Sequence, residues 1–267
     1  MRPFRILFFG DVIGSIGRRA VTTALPELRN EFQPDFVIAN VENLAHGRGI
    51  TPSTLEELDR AQIDAYTSGN HVWENPVGLS CFTDDRWKQK LIRPANVAPD
   101  KQGKGWTIIE KDGVKILLIN VMGQLFLKDT MSSPFLSFDR IVSEAGAMDI
   151  VLVDHHAETT SEKEALGHYA DGRATAVVGT HTHVPTADAK ILTAGTAYIT
   201  DVGRNGGYDT VVGFEKVAAV ERFMNPSSRS YDPPDRGTME VNCVCITVDL
   251  ESKRAIEIQH IRRIIDK

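Results

Sequence analysis

Five apolar runs in this chain end on groups that can hold a proton or a metal ion. RILFFG is followed by Asp11, DFVIAN by Val41-Glu42-Asn43, IDAYTSG by Asn70-His71, DIVLV by Asp154-His155-His156, and TAVVGT by His181-Thr182-His183. Five of the eight histidines fall in these positions, so the pattern is concentrated rather than scattered. Taken singly the pieces are ordinary: an Asp or Asn after a strand often forms a turn or caps a helix, and GNH reads as a turn because Gly and Asn tolerate unusual backbone angles. His-x-His says more, since alternate strand residues point the same way and can address one site. Together they form a shell of oxygen and nitrogen donors without thiolates, suited to Fe, Mn or Zn and unlike a Cys-rich structural zinc. A buried cluster this polar is costly without a partner. It also offers more ligands than one tetrahedral ion takes, which favours two ions sharing a bridging carboxylate.

Such a cluster needs strands that end together. The runs RILFFG, DFVIAN, IDAYTSG, KILLIN, DIVLVD and TAVVGT are short, nearly continuous and apolar, as expected of strands buried on both faces. Helix-compatible segments such as RRAVTTALPELRNEF and TPSTLEELDRAQ separate several of them, which gives an α/β reading. Ligand sites in open α/β sheets lie beyond the carboxyl ends of the strands, where these donors stand. After about residue 186 the segments AKILTAG, TAYITDV, MEVNCVCITVDL and RAIEIQHIRRI read as strands with little helix between them, predicting antiparallel pairing or a second sheet. The stretch MNPSSRSYDPPDRG, residues 224–237, reads as a surface loop inside one domain spanning 1–267 rather than as a linker.

The opening FRILFFGDVIGSIGRRAV raises a rival reading, a phosphate cradle built on Gly10, Gly14 and Gly17. A dinucleotide fingerprint needs a glycine where Val12 stands, and a P-loop needs Gly-Lys-Ser/Thr where the chain reads SIGRRA. Neither pattern is met, so the glycines make no nucleotide cradle, and Asp11 stands as a candidate donor of the cluster. The 267 residues carry a formal net charge of −6, against the basic face that grips duplex nucleic acid. Cys243 and Cys245 lie two apart in a strand-like run and read as buried strand residues, and three cysteines cannot form a fully paired disulfide framework. No apolar run approaches the ~18 residues of a membrane span, and charge breaks the first apolar stretch before a signal-peptide core, so a cytoplasmic location without membrane attachment is expected.

The motifs GD-x-x-G, EN, GNH, a strand ending in His, and GTHTH, in this order, resemble the calcineurin-like metallophosphoesterases. The closer similarity is to the YmdB-like branch, through GDVIGS, VENLAHGRG, SGNHVWE, RPAN, HAETTSEK, DGRATAVVGTHTHVPTAD and AYITDVG, which run from residue 10 to about 203. Two positions depart from the broad superfamily: Ile13 stands where its GDxH motif has histidine, and Glu42-Asn43 stands where GDxxD supplies a bridging Asp.

The resemblance implies a four-layer α-β-β-α sandwich with two mixed central sheets and two transition-metal ions, Fe or Mn foremost and Zn as a further candidate. It implies that Asp11, Glu42, Asn43 and His183 hold the first ion, and Glu42, Asn70, His156 and His181 the second. His71 would be the general acid, and His155 a residue that packs or supports from behind. The implied reaction is hydrolysis of a small phosphodiester, notably a 2′,3′-cyclic nucleoside monophosphate, by a metal-bridging hydroxide. His46, Arg48, Asp201, Arg204 and Asn205 are candidates for the pocket wall, with a plain loop role equally open. The alternative is a regulatory protein that binds metal or nucleotide with little turnover, because binding and catalysis share one ligand set. The sequence is compatible with a homo-oligomer.

Overall fold

The computed structural model describes residues 2–128, 132–225 and 232–266. Its strands and helices follow in the order β1 (Phe4–Phe9), α1 (Gly14–Phe32), β2 (Phe36–Asn40), α2 (Pro52–Arg60), β3 (Ala65–Thr67), β4 (Trp106–Lys111), β5 (Val114–Met122), α3 (Pro134–Ala145), β6 (Ile150–His156), α4 (Thr160–Ala170) and β7 (Ala176–Thr180). The C-terminal third adds β8 (Lys190–Ile191), β9 (Ala197–Ile199), β10 (Gly206–Gly207), β11 (Thr210–Val211), β12 (Phe214–Glu215), α5 (Lys216–Met224), β13 (Met239–Asp249) and β14 (Arg254–Ile265). Within the proline-rich stretch 224–237, residues 226–231 lie outside the described residues.

Two mixed six-stranded sheets form the centre. One runs β10-β13-β1-β2-β3, with β14 on the far side of β13, and the other runs β4-β5-β6-β7-β9-β8. In the first sheet β1, β2 and β3 are mutually parallel; in the second, β5, β6, β7 and β9 are. Alternation along β1 shows why its apolar run is unbroken. Ile6 and Phe8 face the second sheet with Ile38, Val244, Leu118 and Leu152, while Leu7 and Phe9 face α1 and α2 with Leu25, Leu28, Leu55 and Leu58. The second sheet's outer face packs Leu117, Ile119 and Val177 against Phe138 and Ile141 of α3 and Leu166 of α4. The layers are thus helix, sheet, sheet, helix, as the resemblance implied.

Cys243 and Cys245 are buried, unbonded residues of β13, paired opposite Phe9 and Leu7. The C-terminal strands pair antiparallel as expected, β8 with β9 and β13 with β14, with one further connection. β9 also joins the second sheet parallel to β7, and α5 lies between the two pairs. Only three residues long, β9 can run parallel because residues 181–196 supply the return path after β7. Among the described residues no helix is long and apolar enough to cross a membrane.

Candidate metal centre

The parallel strands of both sheets point their carboxyl ends to one edge, and the five sequence positions meet there. Asp11 follows β1, Glu42 and Asn43 follow β2, Asn70 and His71 follow β3, His156 ends β6, and His181 and His183 follow β7. Donor atoms of Glu42, His156 and His181 lie within 4.8 Å of one another, and so do those of Asp11, Glu42 and His183. Glu42 belongs to both groups. Asn70 adjoins the first, with Oδ1 3.1 Å from His156 Nε2. Asn43 follows Glu42 in the chain with its Oδ1 buried; its Nδ2 donates to Gly47 O at 2.9 Å.

Each histidine has one ring nitrogen engaged away from the cluster. His156 Nδ1 faces Thr180 Oγ1 at 2.9 Å, His181 Nε2 faces Glu158 Oε2 at 3.0 Å, and His183 Nδ1 faces Val212 O at 2.9 Å. His71 Nδ1 meets Glu74 Oε1 at 2.5 Å, and its backbone N–H donates to Glu42 Oε2 at 3.0 Å. Such outward bonds fix ring orientation and tautomer, which is how metal-ligating histidines are held.

The electrostatics fit a cation. Asp11 Oδ1, Glu42 Oε1 and Asn43 Oδ1 are buried and meet no hydrogen-bond donor among the described residues. Burial, partly offset by His156 and reinforced by Asp201, Glu42 and Asp154, pushes Asp11 up to about 8. Burial acts against the charged form of Glu42 too, yet His156 beside it, with His71 and His181, holds that carboxyl below its usual range. His156 resists burial in the same way and is raised to about 9 by Glu42, Asp11 and Asp154. His181 is lowered to about 3 by burial and by His156, and burial also lowers His183. The protein alone therefore neutralises one carboxylate with a proton and the other with an imidazolium. A divalent ion removes the need for both protons.

The local backbone departs from the expected picture at the HxH motif. β7 stops at Thr180, so His181 and His183 stand on a loop, with φ of 98° and 64°, and not on one face of a strand. Left-handed backbone is unfavourable for histidine. A buried ion pair holds the loop: Lys163 Nζ lies 2.6 Å from Asp201 Oδ2 and 2.7 Å from Thr180 O, while Asp201 accepts from Thr182 N, Thr182 Oγ1 and Gly203 N. Gly69 differs from its expected role as well. It has no positive φ, but a Cβ there would lie 2.2 Å from His156 Nε2 and 2.3 Å from Glu42 Oε2. The glycine of GNH leaves room for the cluster.

The wall candidates divide. Asp201, Arg204 and Asn205 are buried supports: Arg204 pairs with Glu240 at 3.1 Å, and Asn205 donates to Gly10 O at 2.9 Å. His46 and Arg48 are exposed, and Arg48 lies 3.6 Å from Glu74, the partner of His71. His155 is fully buried and neutral, since burial pushes it down to about 3, and neither ring nitrogen meets a partner among the described residues. Sequence reasoning missed Asn40 and Thr180, which join Asp154 behind the cluster. Asn40 Nδ2 donates to Asp154 Oδ2 at 2.9 Å and Thr180 Oγ1 donates to Asp154 Oδ1 at 2.7 Å. The available signal was a polar residue closing an apolar strand on each side.

An α-β-β-α sandwich with two mixed sheets and a carboxylate–histidine cluster at their strand ends is the architecture of the metallophosphoesterases. Within that class the chain belongs to the YmdB-like protein family, whose pattern it matches over residues 7–261. It is 43% identical over 258 residues, 96% of each chain, to a 2′,3′-cyclic-nucleotide 2′-phosphodiesterase of Bacillus subtilis. A crystal structure of a hypothetical protein from Thermus thermophilus superposes with a TM-score of 0.90 at 38% identity, over 98% of this chain and 99% of that one. A Mycoplasma pneumoniae protein described as a novel phosphatase gives 0.90 at 35% identity, over 100% and 95%.

Proposed function

We propose that the protein is a phosphodiesterase that holds two transition-metal ions, iron or manganese foremost and zinc as a further candidate, and opens 2′,3′-cyclic nucleoside monophosphates. The observation that carries this is the pair of donor groups sharing Glu42. In this reading Asp11, Glu42, Asn43 and His183 hold one ion, and Glu42, Asn70, His156 and His181 hold the other. Bound there, the ions would polarise phosphoryl oxygens and lower the pKa of water towards ~7. The substrate class is supported by the Bacillus subtilis relative.

His71 is assigned as the general acid. Its backbone is tied to Glu42 and its Nδ1 to Glu74, which leaves Nε2 to carry a proton to the departing oxygen. Breaking the bond from phosphorus to O2′ puts that proton on the ribose 2′-oxygen and leaves a 3′-phosphate. The chain is proposed to act as one domain, because its first strand pairs with β13 near its end.

Metal analysis of freshly purified protein, followed by hydrolysis of 2′,3′-cyclic AMP, tests the reading. About two ions per chain and a nucleoside 3′-phosphate product are expected. Protein that binds no transition metal, or leaves the cyclic ester intact when metal-loaded, would overturn it.

A further inference from the structure

We infer that Asn40, Asp154 and Thr180 form a buried relay that sets the tautomer of His156, so that Nε2 presents a lone pair to the metal centre. The inference rests on the two-ion reading above. All three residues are wholly buried, and with Asp154 as a carboxylate each hydrogen bond in the relay has its direction set by the one before it.

The chain of directions starts at a backbone amide. Glu42 N–H can only donate, and it does so to Asn40 Oδ1 at 3.2 Å. Asn40 Nδ2 must then be the atom facing Asp154, and it donates to Oδ2 at 2.9 Å. Asp154 accepts a second bond on Oδ1 from the Thr180 hydroxyl at 2.7 Å. A hydroxyl has one proton, and this one is committed to Asp154. Towards His156, 2.9 Å away, Thr180 Oγ1 can therefore only accept, so Nδ1 must carry a proton. In the neutral ring Nε2 is then the bare nitrogen, facing Asn70 Oδ1 at 3.1 Å and Glu42 Oε1 at 3.3 Å. The backbone of the shared carboxylate thereby orients a second donor of the same cluster across the gap between the two sheets. Asn40, Asp154 and Thr180 are positioning residues: they act through His156.

One isosteric change should reverse the relay. In Asp154→Asn, the new amide must offer its oxygen to Asn40 Nδ2, which turns its NH2 towards Thr180. Thr180 would then accept from residue 154 and donate to His156 Nδ1, moving the proton to Nε2, where it opposes a metal. Thr180→Val removes the link, and Thr180→Ser keeps it.

The test is titration of the metal-free proteins with Mn2+, with free ion read by electron paramagnetic resonance. Wild type and Thr180→Ser should bind two ions. Thr180→Val and Asp154→Asn should keep the ion held by the Asp11 set at unchanged affinity, which also reports an intact fold, and bind the other about 10–100-fold more weakly. Long-range proton–nitrogen spectra of the metal-free proteins, with His156 in its neutral form, should show Nδ1–H in wild type and Nε2–H in Asp154→Asn. Two ions at wild-type affinity in both variants, or equal loss of both ions in Thr180→Val and Thr180→Ser alike, would overturn the relay. Wild type showing the Nδ1–H tautomer but binding no Mn2+ would instead sink the metal reading and, with it, the role assigned to the relay.

Discussion

Loading the metal-free protein with divalent ions at pH 7 should release between one and two protons per chain from its side chains, in addition to any given up by metal-bound water. The magnitude follows from the two groups whose folded values lie above neutrality. Asp11 is pushed up to about 8, chiefly by burial, so about nine-tenths of the molecules carry its proton at pH 7. His156, raised to about 9 by its carboxylate neighbours against the pull of burial, is almost fully protonated there. Glu42 is held down and adds no proton, and His181 and His183 are lowered and already neutral. The two protons belong to the coupled cluster more than to either residue. Metal competes with them, so apparent affinity should rise with pH, by up to about two decades per unit for the loaded pair below pH 8, and flatten above about 9. Calorimetric titrations with Mn2+ in buffers of different ionisation enthalpy, between pH 6.5 and 9, read the proton count directly. Release near zero at pH 7, or an affinity that ignores pH, would refute the placement of metal among these residues.

The same two groups set the stability of the metal-free form. Both folded values exceed the unfolded ones, so the folded state holds extra protons and should lose stability as pH rises from 7 to 9; a Tm that climbs over that range would contradict it. Gly69→Ala puts a methyl 2.2 Å from His156 Nε2, and should abolish metal binding while circular dichroism stays native. His71→Ala should keep both ions and lose about 10²–10⁴-fold in kcat on 2′,3′-cyclic AMP, far less on esters of p-nitrophenol, whose leaving group needs no proton. Equal losses on both substrates would remove His71 from the acid role. Lys163→Met leaves Asp201 buried without its cation and should cost about 3–5 kcal/mol in urea unfolding, against near-native stability if the pair is incidental.

The strands that carry the cluster were legible because parallel strands buried on both faces produce continuous apolar runs, and a run's end marks the edge where ligands gather. DFVIAN and DIVLVD advertise themselves in this way. The strand Trp106–Lys111 does not: it is an edge strand, half exposed, with charged residues at Glu110 and Lys111. Loop conformation was not legible either, since nothing in GTHTH signals that the strand stops at Thr180 and both histidines turn left-handed. Pairings over long separations were equally hidden. Asn40 meets Asp154 across 114 positions, and Lys163 meets Asp201 across 38, with no periodicity to betray them.

Ile13 shows how a missing ligand is accommodated. Where the broad superfamily has histidine, this side chain is fully buried, its Cδ1 lying 2.5 Å from where a Cβ on Gly213 would stand. It belongs to the packing between α1 and the 204–213 segment, whose next residue back, Val212, holds His183 Nδ1. A histidine at 13 would place a polar ring in that apolar contact. The loop after β2 faces the cluster from the other side: Gly14 N donates to Asn43 O at 2.9 Å, tying the Asp11 turn to the Asn43 turn. With Nδ2 committed to Gly47 O, the Asn43 amide keeps a buried Oδ1 that, like Asp11 Oδ1 and Glu42 Oε1, meets no donor among the described residues. A neutral oxygen donor adds no charge to a site where burial already keeps the Asp11 carboxyl protonated near neutrality. On this reasoning Asn43→Asp should bind its ion more tightly at high pH but hold an additional proton near neutrality. Metal affinity in that variant should therefore depend on pH more steeply than in wild type, and an unchanged slope would remove Asn43 from the ligand set.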